Sequence, residues 1–225
     1  FACGHEYFGL HRTAKGWVFR EWAPNATELY LVGDFNEWKP DEKYKAKRIA
    51  GTGNWELKMG ARAMKHGQLY KMLVRWNGGE GERVPAWARR VVQDENTKIF
   101  SAQVWNPEPY EWKKTTFKPN KNPLLIYECH VGMGQDAEKV GTYVEFRDNV
   151  LPRIRKGGYN CIQVMAIQEH PYYGSFGYHV SSFFASSSRF GTPEELKSLI
   201  DTAHQMGIAV IMDIVHSHAV KNENE

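Results

Sequence analysis

No stretch of the 225-residue chain approaches the roughly 20 consecutive apolar residues that cross a bilayer, so no membrane partner is expected. Basic tracts are lacking as well. The formal net charge is only +3, and nothing resembles the lysine and arginine clusters that grip a phosphate backbone, which argues against nucleic acid as a partner. Cysteine is scarce. Cys3, Cys129 and Cys161 cannot all pair and none has metal-ligand spacing, so a reducing, cytoplasm-like compartment is expected. The chain also lacks an initiator Met and a signal-like segment, and it stops at Asn224-Glu225 just past an apolar strand. The expectation is a fragment, with any targeting peptide outside it.

Aromatic residues, by contrast, are plentiful, with eight Trp and eleven Tyr in a chain that is 42% hydrophobic. Such an excess supplies core packing, or stacking surfaces for flat ligands such as sugars. Residues 1–109 read as all β. Leu29 to Val32, Trp55 to Met59, and the alternating Tyr70, Met72, Val74 and Trp76 are short strands of period two, separated by turn clusters such as Gly33-Asp34-Phe35-Asn36 and Asn77-Gly78-Gly79. A β-sandwich is the expected architecture. Residues 110–123 belong to a stretch rich in proline and lysine without periodicity, and read as a linker.

From residue 124 to 225 strands alternate with helices. Leu124 to Val131 reads as a strand. Thr142-Tyr143-Val144-Glu145 is a capping box opening a helix with Tyr143, Phe146, Val150 and Ile154 on one stripe, in which Pro152 should produce a kink or a split. Cys161 to Ile167 reads as the next strand. A second capping box, Thr192-Pro193-Glu194-Glu195, opens a helix with Leu196, Leu199, Ile200 and Ala203 inward and Gly207 as its stop. The apolar run Ile208 to Met212 follows as a buried strand, and two strand-helix-strand units imply parallel strands in an open sheet or a barrel.

Ligands of such sheets bind beyond the strands' carboxyl ends. There the chain reads Asp213-Ile214-Val215-His216-Ser217-His218. Asp213 and His218 can share a site only if the strand ends near Val215, because strict alternation would send them to opposite faces. A zinc site on His216 and His218 lacks a third ligand of recognisable spacing, so no metal is expected. The long aromatic loop from Gln168 to Gly191, with Phe176-Gly177-Tyr178-His179, has the length and composition of a functional loop. Gly132-Met133-Gly134-Gln135-Asp136-Ala137 satisfies a dinucleotide-binding fingerprint, with Glu169 as the ribose acid. The helix begins only at Thr142, however, leaving no helix amino terminus for a pyrophosphate.

Several segments carry a family resemblance. Glu21-Trp22-Ala23-Pro24 followed by Gly33-Asp34-Phe35-Asn36-Glu37-Trp38 resembles carbohydrate-binding module family 48. Tyr127-Glu128-Cys129-His130-Val131-Gly132, Asn149 to Ile154, Gly158 to Gln163, Ala166-Ile167-Gln168-Glu169-His170 and the Asp213 to His218 segment resemble, in order, the glycogen and starch branching enzymes of the alpha-amylase family. The resemblance implies a multidomain protein: an all-β carbohydrate-binding module, then the first part of an α/β (β/α)8 TIM barrel. It implies transfer of an α-1,4-glucan segment to a 6-hydroxyl by a retaining double displacement, with α-glucan as partner and no cofactor. The nucleophilic Asp, the acid/base Glu and a further Asp of that family lie on later strands, so the fragment alone is expected to be inactive. In cytoplasm or, for a plant or algal source, plastid, the parent would build glycogen or starch.

By the same resemblance Tyr178 would form the floor beneath the sugar at the cleavage point, Asp213 would fix the geometry and His218 would hydrogen bond sugar hydroxyls. His179 stands where Gln is commoner. Trp22 and Pro24 would border a glucan groove, with Trp38 and Trp87 as further candidates. Isoamylase-type debranching and glucan binding without catalysis are the alternative functions.

Overall fold

The computed structural model describes residues 3–119 and 122–220. Residues 120 and 121 of the expected linker, and 221–225 of the expected second domain, lie outside the described residues. Two compact units result, one of residues 3–107 with 182–185 and the other of the remaining described residues.

The first unit is a β-sandwich. One antiparallel sheet runs in the order β1 (Gly9–Thr13), β2 (Gly16–Trp22), β5 (Asn54–Met59), β4 (Lys47–Arg48). The other runs β3 (Ala26–Gly33), β6 (Leu69–Trp76), β9 (Phe100–Gln103), β8 (Val91–Gln93), with β7 (Gly79–Arg83) also on β6. Period-two patterning produces this arrangement directly. In β5, Trp55, Leu57 and Met59 turn into the core while Glu56 and Lys58 face out, and Trp17 and Phe19 of β2 and Leu29 and Leu31 of β3 meet them. The Gly33 to Trp38 segment is a turn with its own logic. Asn36 accepts from the Gly33 amide and donates to the Leu31 carbonyl. A side chain on Gly33 would collide with the Leu69 carbonyl, 2.2 Å from where its Cβ would stand.

The second unit contains three parallel strands, Ile126–Cys129, Cys161–Val164 and Ala209–Met212, adjacent in sequence order and in register Ile126, Cys161, Ala209. Both capping boxes are formed, Thr142 with Glu145 and Thr192 with Glu195, each side chain satisfying the other's backbone amide. All four stripe residues of the first helix, Tyr143, Phe146, Val150 and Ile154, are buried. Pro152 does not split that helix. A π-helical stretch, Phe146–Val150, runs into Leu151–Lys156, and the Leu151 amide reaches back to the Phe146 carbonyl, so the wider turn absorbs the missing donor.

Two local expectations are corrected. In the helix Pro193–Gln205, Leu199 and Ala203 are buried and Leu196 packs on the core, but Ile200 is only half-buried and the neighbouring Asp201 is buried instead. Asp201 accepts from the Lys113 and Lys114 amides and from the Tyr110 hydroxyl, so part of the expected linker is fastened to this helix. Phe117 stacks on His204 from the same helix at 4.1 Å. The strands are also shorter than their apolar runs. The last one ends at Met212, with Ile211 and Met212 38% and 43% exposed. It is the edge strand of the three-stranded sheet, with no neighbouring strand on its outer side among the described residues.

Candidate functional site

At the strands' carboxyl ends two of the expected residues, Tyr178 and Asp213, come together. Glu128, Gln163 and Ile211 are register partners, and Asp213, two residues after Ile211, belongs to the same face. Gln163 donates to the Glu128 carboxylate at 2.9 Å. Beyond Met212 the chain leaves the ladder. The Asp213 amide bonds the Val164 carbonyl, the Val215 amide reaches the Gln168 side chain, and the Val220 amide bonds the Val180 carbonyl. The strand thus ends before Val215, the condition for Asp213 and His218 to share a site.

Tyr178 donates its phenol to Asp213 Oδ2 at 2.8 Å across 35 residues of sequence. That hydrogen bond to a carboxylate, helped by burial, pushes the phenol's pKa up to about 12. The approach depends on the two residues before it. Phe176 is left-handed (φ 55°), and Gly177 (φ 88°) lies so close to the Ala166 carbonyl that a Cβ would be 1.8 Å from its oxygen. Tyr178 is therefore fixed by a backbone approach that only glycine permits. His218 is exposed, and the structure gives it no hydrogen bond to Tyr178 or Asp213. His179 is likewise exposed, its amide on the Ser175 hydroxyl.

The sequence reading missed the group that holds the long loop. Glu169 is buried and accepts from the Ser188 and His170 amides and the Ser187 hydroxyl. Burial pushes its pKa up, and these three donors oppose the shift. It is a loop-closing carboxylate with no vacancy for a ribose. Beside it, His130 and His170 are buried against Phe190, and His130 also meets Tyr173 and Phe176 edge-on. Burial lowers both imidazole pKa values. Gly132 of the dinucleotide fingerprint is packed under Phe190 and the Tyr173 hydroxyl, which closes the cradle a pyrophosphate would need. Among the described residues no three His, Cys, Asp or Glu side chains converge as a metal site.

In the first unit the four groove candidates separate. Trp22 is 61% exposed, and its indole nitrogen and Pro24 lie over Gly53, where a Cβ would be within 2.9 Å of both. Trp38 is half-buried, left-handed, and donates its indole N–H to Asp34. Trp87 stacks on Phe8 (5.3 Å) and on Phe184 (4.0 Å). Glu21, beside Trp22, was not anticipated at all. It is buried and accepts from the Trp22 and Ala86 amides, and burial pushes its pKa up to about 7 against those bonds.

Comparison with known proteins agrees with this division. Residues 7–88 match carbohydrate-binding module 48 (isoamylase N-terminal domain), and residues 149–224 match the alpha amylase catalytic domain. The chain is 47% identical to a 1,4-alpha-glucan-branching enzyme of Dictyostelium discoideum over 99% of its own length and 33% of that protein's. It is equally identical to one from Equus caballus, over 100% and 33%. With the 1,4-alpha-glucan-branching enzyme 2-2, chloroplastic/amyloplastic, of Arabidopsis thaliana it shares 47% identity over 99% and 28%. The chain thus spans about a third of the length of these relatives. In fold it is similar to a pullulanase from Paenibacillus barengoltzii in complex with maltohexaose and alpha-cyclodextrin (TM-score 0.76, 21% identity, 94% of this chain and 38% of that one). A pullulanase from Bacillus acidopullulyticus gives a TM-score of 0.75 at 20% identity, over 94% and 30%.

Proposed function

The chain belongs with the 1,4-alpha-glucan-branching enzymes, and from that premise we propose that its parent protein cuts an α-1,4-glucan and transfers the freed segment to a 6-hydroxyl. Residues 1–109 serve as its glucan-binding module, 110–123 as the connection, and 124–225 as the start of its catalytic barrel. The observation that carries this reading is the bond from Tyr178 to Asp213 at the carboxyl ends of three parallel strands, where such barrels do their chemistry.

In that chemistry a carboxylate attacks the anomeric carbon while a second carboxyl protonates the departing oxygen. The second group then takes the proton of the acceptor hydroxyl as that oxygen bonds the anomeric carbon and displaces the first carboxylate from it. The family resemblance puts both carboxyls on later strands, so these residues alone do no transfer. What this chain supplies is the frame. Tyr178, anchored by Asp213, offers an aromatic ring to the apolar C–H face of a sugar. His218, exposed just past the bend, is available to donate to sugar hydroxyls. The exposed indole of Trp22 favours a glucan contact on the module as well, and Trp22 with Pro24 is the strongest groove pair of the four candidates. No helix among the described residues is long and apolar enough to cross a membrane. Three free thiols suit a reducing cytoplasm or plastid stroma.

An iodine-stained amylose assay on the complete parent tests the reading. Loss of stain without new reducing ends is the expected outcome. Loss accompanied by new reducing ends would instead establish hydrolysis. Unchanged stain, with the 225-residue chain still retarded by glycogen in affinity electrophoresis, would leave only a binding function.

A further inference from the structure

The outer edge of the first unit's four-stranded sheet carries a cleft of about 410 Å³ that none of the preceding assignments uses. Its charged lining is one-sided: Lys45, Lys47, Arg48 and Lys58 face a single carboxylate, Glu56. That carboxylate is already shared by Arg20 and Lys58, each at 2.8 Å. Lys45 is held by Glu28 at 2.6 Å and more loosely by Glu42. With these neighbours included, cations still outnumber carboxylates five to three. Arg48 commits one N–H to the Pro24 carbonyl at 2.7 Å, leaving the rest of its guanidinium fork available. Lys47 ends in three donors, and among the described residues its ammonium has no hydrogen-bond or ion-pair partner.

We propose that this cleft binds a phosphate monoester carried on a hexose, either on a glucan chain or as a free hexose phosphate. A neutral sugar gains nothing specific from surplus ammonium and guanidinium groups. A phosphate dianion does, through charge-assisted bonds to Lys47 and the planar fork of Arg48. Ile49 and Leu57 add apolar lining against which a sugar ring can pack. The cleft is a short concavity rather than an extended track, which fits one phosphate group and not a polyphosphate backbone. Its location favours an ester on a chain. Lys47 pairs with Glu56 and Trp22 with Asn54, two outward positions of β5, so Lys47 and the exposed indole belong to the same face of the sheet. Two inter-strand spacings, about 10 Å, and a two-residue offset of about 7 Å separate their backbones. A glucan lying on Trp22 can place a phosphorylated residue in the cleft.

The polymer arm of the test rests on the glucan-binding reading, and the design separates the two. The 225-residue chain is run in affinity electrophoresis through phosphorylated amylopectin and through the same polymer after phosphatase treatment. Retardation by the dephosphorylated polymer reports neutral glucan binding alone. Binding to the phosphorylated form is expected to be about three- to tenfold tighter, the range for a few exposed charge-assisted bonds. Lys47→Glu with Lys58→Glu should abolish that difference, and Lys47→Gln alone should reduce it. Lys15→Glu, on an exposed turn, should leave it intact. Isothermal titration with glucose 6-phosphate and inorganic phosphate identifies the source: heat from the hexose phosphate adds the free ester as a ligand, whereas silence confines binding to esters on a chain. Equal retardation by both polymers together with no heat from glucose 6-phosphate overturns the proposal. So does an equal loss in Lys15→Glu, which would reveal net charge rather than a site.

Discussion

Glu21 holds a carboxyl group inside the first unit with two amides as its partners, and burial raises its pKa from 4.5 to about 7. The folded state therefore keeps a proton that the unfolded chain releases above pH 4.5. The contribution of the neutral carboxyl is fully present below that pH and is lost as pH rises through about 7. The amplitude is on the order of 3 kcal/mol for a group this buried. Glu21→Gln should flatten this dependence, read as the change in urea midpoint between pH 5 and pH 8. At the other unit, Asp213→Asn should bring the Tyr178 phenol down from about 12 toward its ordinary value near 10, observed by NMR titration of labelled tyrosine against a Tyr178→Phe reference. Asp213 stood out in the sequence because it closes an apolar run, and Tyr178 because its segment resembles one of the branching enzymes. Glu21 was not, since an acid in a β-strand reads as an outward position until its alternation with Trp17 and Phe19 is seen in place.

Among the elements, the helix Pro193–Gln205 shows how a pattern can be right and its inward face incomplete. Thr192 and Glu195 set its start, and Gly207, left-handed at φ 73°, sets its stop, both readable locally. The burial of Asp201 follows from a segment about 88 residues earlier, which brings two amides and a phenol to its carboxylate. Those donors outweigh the cost of burial and hold the pKa of Asp201 below the ordinary carboxylate value. Asp201→Ala should release the 110–117 segment, so that trypsin cuts after Lys113 and Lys114 several-fold faster while helical circular dichroism is unchanged. An unchanged cleavage rate would show that the Phe117–His204 stack holds the segment without the carboxylate. The π-helical turn before Pro152 belongs to the same lesson. Proline forbids one backbone bond, and the choice between a break and a wider turn was made by the four stripe residues that the continuous helix buries.

For the whole molecule, the module can be tested apart from the barrel: Trp22→Ala should weaken retardation of the chain by glycogen by about three- to tenfold, the scale of losing one stacked aromatic face. Trp87→Ala should instead lower thermal stability, because it removes the stacking on Phe8 and Phe184. The sequence by itself determined three strands of the sandwich, both capping boxes, the alternation of strand and helix after residue 124, and the kinship with branching enzymes. Those features are written in periods of a few residues or in contiguous motifs. Tertiary structure decided which polar groups are buried and what they hold. Glu21 meets the Ala86 amide across 65 residues, Tyr178 meets Asp213 across 35, and Lys113 meets Asp201 across 88. A hydrogen bond is fixed by position in space, and no local pattern encodes a partner that distant along the chain.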